Sequence, residues 1–191
     1  MEDRLIIANC SGFLGDRMSA AKEMVRGGEI HVLTGDYLAE LTMAILFRLK
    51  AKSPDMGFTL PFLKQMEEIM GECLDRGIKV VANAGGLNPV GLAKALEDLG
   101  DKLGIHPKVA AITGDDLLPR LSDLQAAGEA FTHLDTGQDL AQAIKTEGAQ
   151  PLTANAYMGG FGIARALDQG ADIVVGGRRS YRRDRAAPRL L

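Results

Sequence analysis

The sequence predicts an α/β fold: an open, mostly parallel β-sheet with helices on both faces, a Rossmann-like three-layer arrangement. Three observations carry it. Short β-branched apolar runs alternate along the chain with amphipathic stretches at helical spacing. The runs are nearly continuous in apolar residues instead of alternating, as strands covered on both faces require. Each run also ends in a polar corner, most of them bearing glycine, and in open parallel sheets that edge is where ligands bind.

The elements follow in order. The runs are RLIIANC (4–10), EIHVLTGD (29–36), IKVVANAG (78–85), KVAAITGDD (108–116), QPLTANAY (150–157) and ADIVVGGR (171–178). Helical spacing occupies about 18–26, 37–50, 61–76, 88–103, 117–127 and 160–169. Pro61 and Pro89 stand where a first helical turn accepts proline, because the N–H that proline lacks has no partner there. Residues 51–60 read as a loop, EAFTHL (129–134) as a further short strand, and 136–148 as its helix. Residues 1–178 are expected to form a single α/β domain, and right-handed crossovers would put its helices on both faces of the sheet.

Composition narrows the function classes. The 191 residues are 46% hydrophobic and 25% charged, an ordinary globular balance with enough chain for a proper core. Aromatic residues make up 5% and Trp is absent, so the stacking platforms of single-stranded nucleic-acid binders are poorly supplied. No apolar run approaches the ~20 residues of a membrane span, and the start lacks a basic segment followed by a long apolar one. The expectation is a cytoplasmic protein with neither nucleic acid nor membrane as partner. Cys10 and Cys73 form no CxxC pair and His31, His106 and His133 show no ligand spacing, so neither a disulfide framework nor a metal site is indicated. Of the 22 basic residues six fall in 178–191, against one of the 25 acids, so residues 1–177 carry −8 and the last fourteen +5. Residues 179–191 have almost nothing to bury and are expected to be disordered. Nucleic-acid binding by this Arg-rich end is the weakest of the functional readings, since short charge runs are usually solvated tails.

The corners carry the chemistry. They are Asn9-Cys10-Ser11-Gly12, Thr34-Gly35-Asp36-Tyr37, Asn83-Ala84-Gly85-Gly86-Leu87-Asn88, Thr113-Gly114-Asp115-Asp116, Asn155-Ala156-Tyr157 with Gly159-Gly160, and Gly176-Gly177-Arg178. Any one alone reads as a simple βα turn; all of them at one edge read as a site. Gly85 and Gly86 before Asn88 as N-cap and Pro89 as first helical residue would present free N–H groups at a positive helix end, which suits a phosphate or carboxylate. Tyr157-Met158-Gly159-Gly160-Phe161-Gly162 does the same, but Arg165 stands where G-x-G-x-x-G needs its third glycine. No GK[ST] occurs either, so NAD and ATP sites are disfavoured and no cofactor is named. Asp115 and Asp36 are the candidate acid/base carboxylates, while Asp116 reads as a helix cap. Asn9, Ser11, Asn83, Asn155, Tyr157 and Arg178 complete the candidate ligand-binding set. Cys10 and Ser11 are not in G-x-S-x-G, and a Cys ending a strand is usually a small buried hydrophobe.

Several of these corners, in the same order, form a recognisable set: ANCSGFLGDR (8–17), HVLTGDYLAELTM (31–43), KVVANAGGLNP (79–89), AAITGDDLLP (110–119), TANAYMGGFGIARAL (153–167) and GADIVVGGR (170–178). Over about residues 5–178 the chain resembles the amino-terminal domain of the acyclic terpene utilisation family, the AtuA-type proteins. The resemblance implies a role in the bacterial breakdown of acyclic terpenoids such as citronellol and geraniol, a route that runs through acyl-CoA thioesters, but it carries over no catalytic residue. Where members continue past GGR with more chain, RSYRRDRAAPRLL follows here, and a truncated or out-of-frame terminus is the expectation. Two functions are open. One is an enzyme domain acting on a carboxylate- or CoA-bearing intermediate, with glycine corners cradling the anion and an Asp moving protons. The other is a non-catalytic ligand-binding or assembly module, and a homo-oligomer is compatible with either.

Overall fold

Five of the six apolar runs pair into one all-parallel sheet in the computed structural model, which describes residues 4–148 and 150–178. The strands are β1 (Ile7–Asn9), β2 (Val32–Gly35), β3 (Lys79–Ala82), β4 (Val109–Ile112) and β5 (Ile173–Gly176), in the spatial order β1-β2-β3-β5-β4. The last strand in sequence is therefore inserted between β3 and β4. Its register sets Val81 beside Val174 and Val174 beside Ala110.

Side chains alternate across this sheet, and each face finds its own cover. Leu33, Val80, Ala82, Ile173 and Val175 point to a face packed by α1 (Ala20–Gly27), α3 (Leu60–Asp75) and α4 (Pro89–Leu103) through Val25, Met66, Ile69, Leu92 and Leu96. Val32, Val81 and Val174 point to the other face, where Ala166, Ile163 and Leu167 of α7 (Phe161–Asp168) pack. The handedness of βαβ crossovers accounts for the division. From β1 to β4 each connection advances across the sheet, and α1, α3 and α4 land on the first face. From β4 to β5 the chain steps back, and α7 lands on the second.

Helix α4 begins as its sequence predicts: Asn88 Oδ1 accepts from the Gly91 N–H at 2.9 Å, Pro89 opens the first turn, and Gly104 closes the helix in the left-handed region at φ 73°. Helix α2 (Glu40–Lys52) does not lie on the sheet face. It sits over the 83–88 corner, where Leu46 meets Gly86 and Lys50 Nζ donates to the Leu87 carbonyl at 2.7 Å. After β4 come a 3₁₀ turn (Leu118–Arg120), α5 (Leu121–Ala126) and α6 (Leu140–Glu147), the last capped by Asp139, which accepts from Gln142 N at 2.7 Å.

Two expected strands are absent among the described residues. Residues 150–157 form only a one-residue antiparallel bridge, Asn155 against Asp116. Pro151 denies that segment a donor, and its backbone bonds to the 115–117 corner instead of to a strand, Leu117 N donating to Ala154 O and Ala156 N to Asp115 O. Residues 129–134 are loop, with Phe131 at φ 51°. The segment 179–191, expected to be disordered, lies outside the described residues. No helix of the described residues is long and apolar enough to cross a membrane.

Candidate functional site

The chain leaving β1, β2 and β3 returns along one face of the sheet through α1, α3 and α4, and the chain leaving β4 returns along the other through α7. In open α/β sheets that divergence opens a crevice at the carboxyl edge. Here β3 and β4 diverge, and β5 lies between them, so the crevice opens over the end of β5. Arg178 stands two residues past that strand.

Arg178 is 8% exposed. Its Nη1 donates to the Leu38 carbonyl at 3.3 Å, and its Nη2 donates to Glu40 Oε1 at 2.5 Å and to the Tyr157 hydroxyl oxygen. The guanidinium also lies 4.5 Å from the centre of the Tyr157 ring, a cation–π contact. Tyr157 in turn donates to Glu40 Oε1 at 3.4 Å, closing a triangle. Glu40 is the first residue of α2 and its side chain is 85% exposed. Its own backbone N–H and, after it, the Arg178 guanidinium hold the Glu40 carboxyl below the ordinary carboxylate range.

Two adjoining cavities share this triangle as a wall. One of about 220 Å³ is lined by Asp36, Leu38, Ala39, Asn83, Glu40, Tyr157 and Arg178. Its neighbour of about 240 Å³ adds Met43, Thr153 and Asn155. Asp36 follows β2, where its Oδ1 accepts from Asn83 Nδ2 at 2.6 Å and from the Leu38 N–H at 3.3 Å. Asn83 is buried, and its own Oδ1 accepts from the Tyr37 N–H at 2.8 Å, which fixes the amide and through it the Asp36 carboxylate. Thus Asp36, Asn83, Asn155, Tyr157 and Arg178 are brought together around the two cavities.

The other candidates are placed elsewhere. Asn9 and Ser11 fold back on their own turn: Asn9 Nδ2 donates to Ser11 O at 2.9 Å and Ser11 Oγ donates to Phe13 O at 3.0 Å. The free N–H groups expected at the 83–88 corner are spent within the fold. Gly85 N donates to Gly176 O, Gly86 N to Asn83 O, Leu87 N to Gly57 O and Asn88 N to Gly85 O. Glycine is required there by packing: a Cβ at Gly85 would meet Gly176 O at 2.8 Å, and one at Gly86, which has φ 52°, would meet Gly57 O at 2.8 Å as well as Leu46. Gly159 and Gly160 lead into α7, with Gly160 at its N-cap, and line neither cavity.

Asp115, expected in the cleft, is 4% exposed and lies beneath it. Its Oδ2 accepts from the Arg178 backbone N–H at 2.9 Å and from Asn155 Nδ2 at 3.2 Å, and Gly177 lacks a side chain where that carboxylate sits. Asp115 therefore positions the Arg178 backbone. Asp116 Oδ1 accepts from Leu118 N at 3.0 Å and starts the 3₁₀ turn. Cys10 and Cys73 are buried thiols whose pKa values burial raises, that of Cys73 to about 12, so neither presents a thiolate. Among the described residues no group of three or more His, Cys, Asp or Glu side chains is placed to hold a metal ion.

Glu40, with Leu38 and Ala39, was beyond sequence reasoning because it stands at the start of a helix that carries no motif. Its one signal is position, four residues past Asp36 at the carboxyl edge. Three of the five guanidinium donors of Arg178 are engaged among the described residues, which leaves donors for a bound anion. Both Nη2 hydrogens are among those engaged, so a carboxylate takes the guanidinium in two parallel hydrogen bonds only where Glu40 or Tyr157 gives up its place on Nη2. The family model for acyclic terpene utilisation family protein AtuA matches residues 5–181 of the chain. Neither a curated protein nor a solved structure matches it.

Proposed function

We propose, since this chain belongs to the acyclic terpene utilisation family AtuA, that its cleft takes the carboxylate- or CoA-bearing end of an acyclic intermediate and that the chain is an enzyme domain acting on it. The observation that carries this reading is Arg178, a buried cation aimed at a cavity wall at the switch point of the sheet. Size sets the mode. Cavities of about 220 and 240 Å³ fall below the roughly 300–1,000 Å³ that encloses a drug-sized ligand, so a head group enters and the bulk of a CoA lies along the outer edge. Asp36, oriented by Asn83, is the group that exchanges a proton with the substrate.

The test is a panel of branched acyclic acids and their CoA thioesters, read by thermal midpoint and by product formation. At least one member raises the midpoint of the parent protein, Arg178→Lys removes that rise, and Asp36→Asn keeps the rise while turnover is lost. A rise that survives in Arg178→Lys places the ligand elsewhere. The second reading, a non-catalytic holder, draws on the structural use of Asp115 and on the two hydrogen bonds that already occupy Asp36 Oδ1. It predicts binding by the parent protein and by Asp36→Asn, loss of binding in Arg178→Lys, and no member of the panel consumed.

A further inference from the structure

The triangle at the cleft pairs unequal members. The Arg178 side chain is 9% exposed, while that of Glu40 is 85% exposed and stands at the first turn of a helix with water beside it. A pair with one arm in solvent is held weakly, worth ~0–1 kcal/mol at an open surface. Taking the carboxylate away leaves the buried cation with only the Leu38 carbonyl, the Tyr157 hydroxyl and the Tyr157 ring, which is costly, but exchanging one carboxylate for another is not. Glu40 is therefore replaceable only by a group of its own kind.

We propose that Glu40 is a built-in stand-in for the ligand carboxylate: a free monocarboxylate enters by taking its place on Arg178. This rests on the reading that the cleft is a carboxylate site, and it narrows that reading to a planar monoanion. Three observations converge. Glu40, Tyr157 and Arg178 form the wall common to both cavities, so a Glu40 side chain that swings out removes much of the partition between them. The opened slot then approaches the size range of ligand pockets, which neither cavity reaches alone. Asp36 lines the cavity of about 220 Å³, and a phosphate dianion on Arg178 would face that acid, whereas a monocarboxylate brings a single charge to replace the one that leaves.

Tyr157 remains after the exchange. Its hydroxyl already touches both Arg178 Nη2 and Glu40 Oε1, so it is set to donate to whichever carboxylate occupies the fork. Glu40 thus sets the threshold concentration for entry. A neutral head group has nothing to exchange and leaves the pair closed.

Isovalerate and its neutral isostere isovaleramide are the probes, titrated by calorimetry into the parent protein, Glu40→Gln, Glu40→Ala, and Arg178→Lys, each checked for a cooperative unfolding transition. Isovalerate binds Glu40→Gln and Glu40→Ala roughly two- to fivefold more tightly than the parent, the size expected for release of a weak competing pair. Isovaleramide shows no such gain. Binding seen only in the two Glu40 variants supports the exchange equally. Unchanged or weaker binding in both Glu40 variants, with Arg178→Lys still abolishing binding, overturns the stand-in and leaves the carboxylate site intact. Absence of saturable isovalerate binding in every protein, or equal binding of acid and amide by the parent, overturns both.

Discussion

Asp115 shows how a residue type can be read correctly and its work misplaced. A carboxylate at the end of a parallel strand has the chemistry of an acid or base, yet this one accepts from Arg178 N and Asn155 Nδ2 in the space that Gly177 leaves by carrying no side chain. Asp115→Ala strands two buried donors and should cost about 1–3 kcal/mol in chemical denaturation. A change of a few tenths would show that water satisfies those donors. The glycines divide in the same way. Gly86→Ala must hold φ 52° with its Cβ against Leu46 and Gly57 O, so it should lower stability measurably. Gly160→Ala, at φ −81° with open space around it, should not. Equal losses at the two positions would remove the packing explanation for the 83–88 corner. Loss of binding in a Gly86 variant therefore reports on the fold before it reports on a ligand.

At the scale of elements, β5 dominates. It is the last strand in sequence, pairs on both sides, and is buried along its whole length, whereas β1 is a three-residue edge strand with Ile7 half-exposed. Amides of β3 and β5 should exchange slowest with deuterium and those of β1 fastest; slow exchange confined to β1 and β2 would contradict this pairing. The opposite edge of the sheet carries its own latch. Asp172, just before β5, bonds Lys79 Nζ at 2.8 Å and the Lys108 N–H at 3.0 Å. Partial burial pushes its carboxyl up, but Lys79, the Lys108 N–H and both cations outweigh that and hold it below its ordinary 3.8. A depressed folded value means the latch contributes fully above about pH 4 and is lost as pH falls through the lowered value. Asp172→Asn should flatten the acid limb of the stability profile, and a parallel acid limb in the variant would assign that dependence to other carboxylates. Five strands and all the major helices were legible because apolar runs and helical spacing are local signals. The run 150–157 misled because its apolar residues serve a corner: Leu152 is exposed, Pro151 cannot donate, and Asn155 bonds Asp115. Nothing local in sequence separates a strand from an extended segment that pairs for one residue.

The whole molecule decides what no stretch of sequence could. The cleft depends on β5 entering between β3 and β4 while their loops diverge, which brings Arg178 within reach of Glu40, residues separated by 138 positions. Asp36, Asn83, Tyr157 and Arg178 were each readable as polar strand-end residues; that these four, and not Asn9, Ser11, Gly85 or Gly86, share one cavity follows from strand order and from α2 lying over the 83–88 corner. The central claim is that a carboxylate- or CoA-bearing ligand seats at this switch point, and locating it tests that most directly. In backbone amide NMR spectra titrated with isovaleryl-CoA and isovalerate, the perturbed signals should cluster at residues 36–40, 83, 155–158 and 178, with the amino edge at Lys79, Lys108 and Asp172 unmoved. Perturbations centred on that amino edge or on α6, or none at saturating ligand, would contradict it.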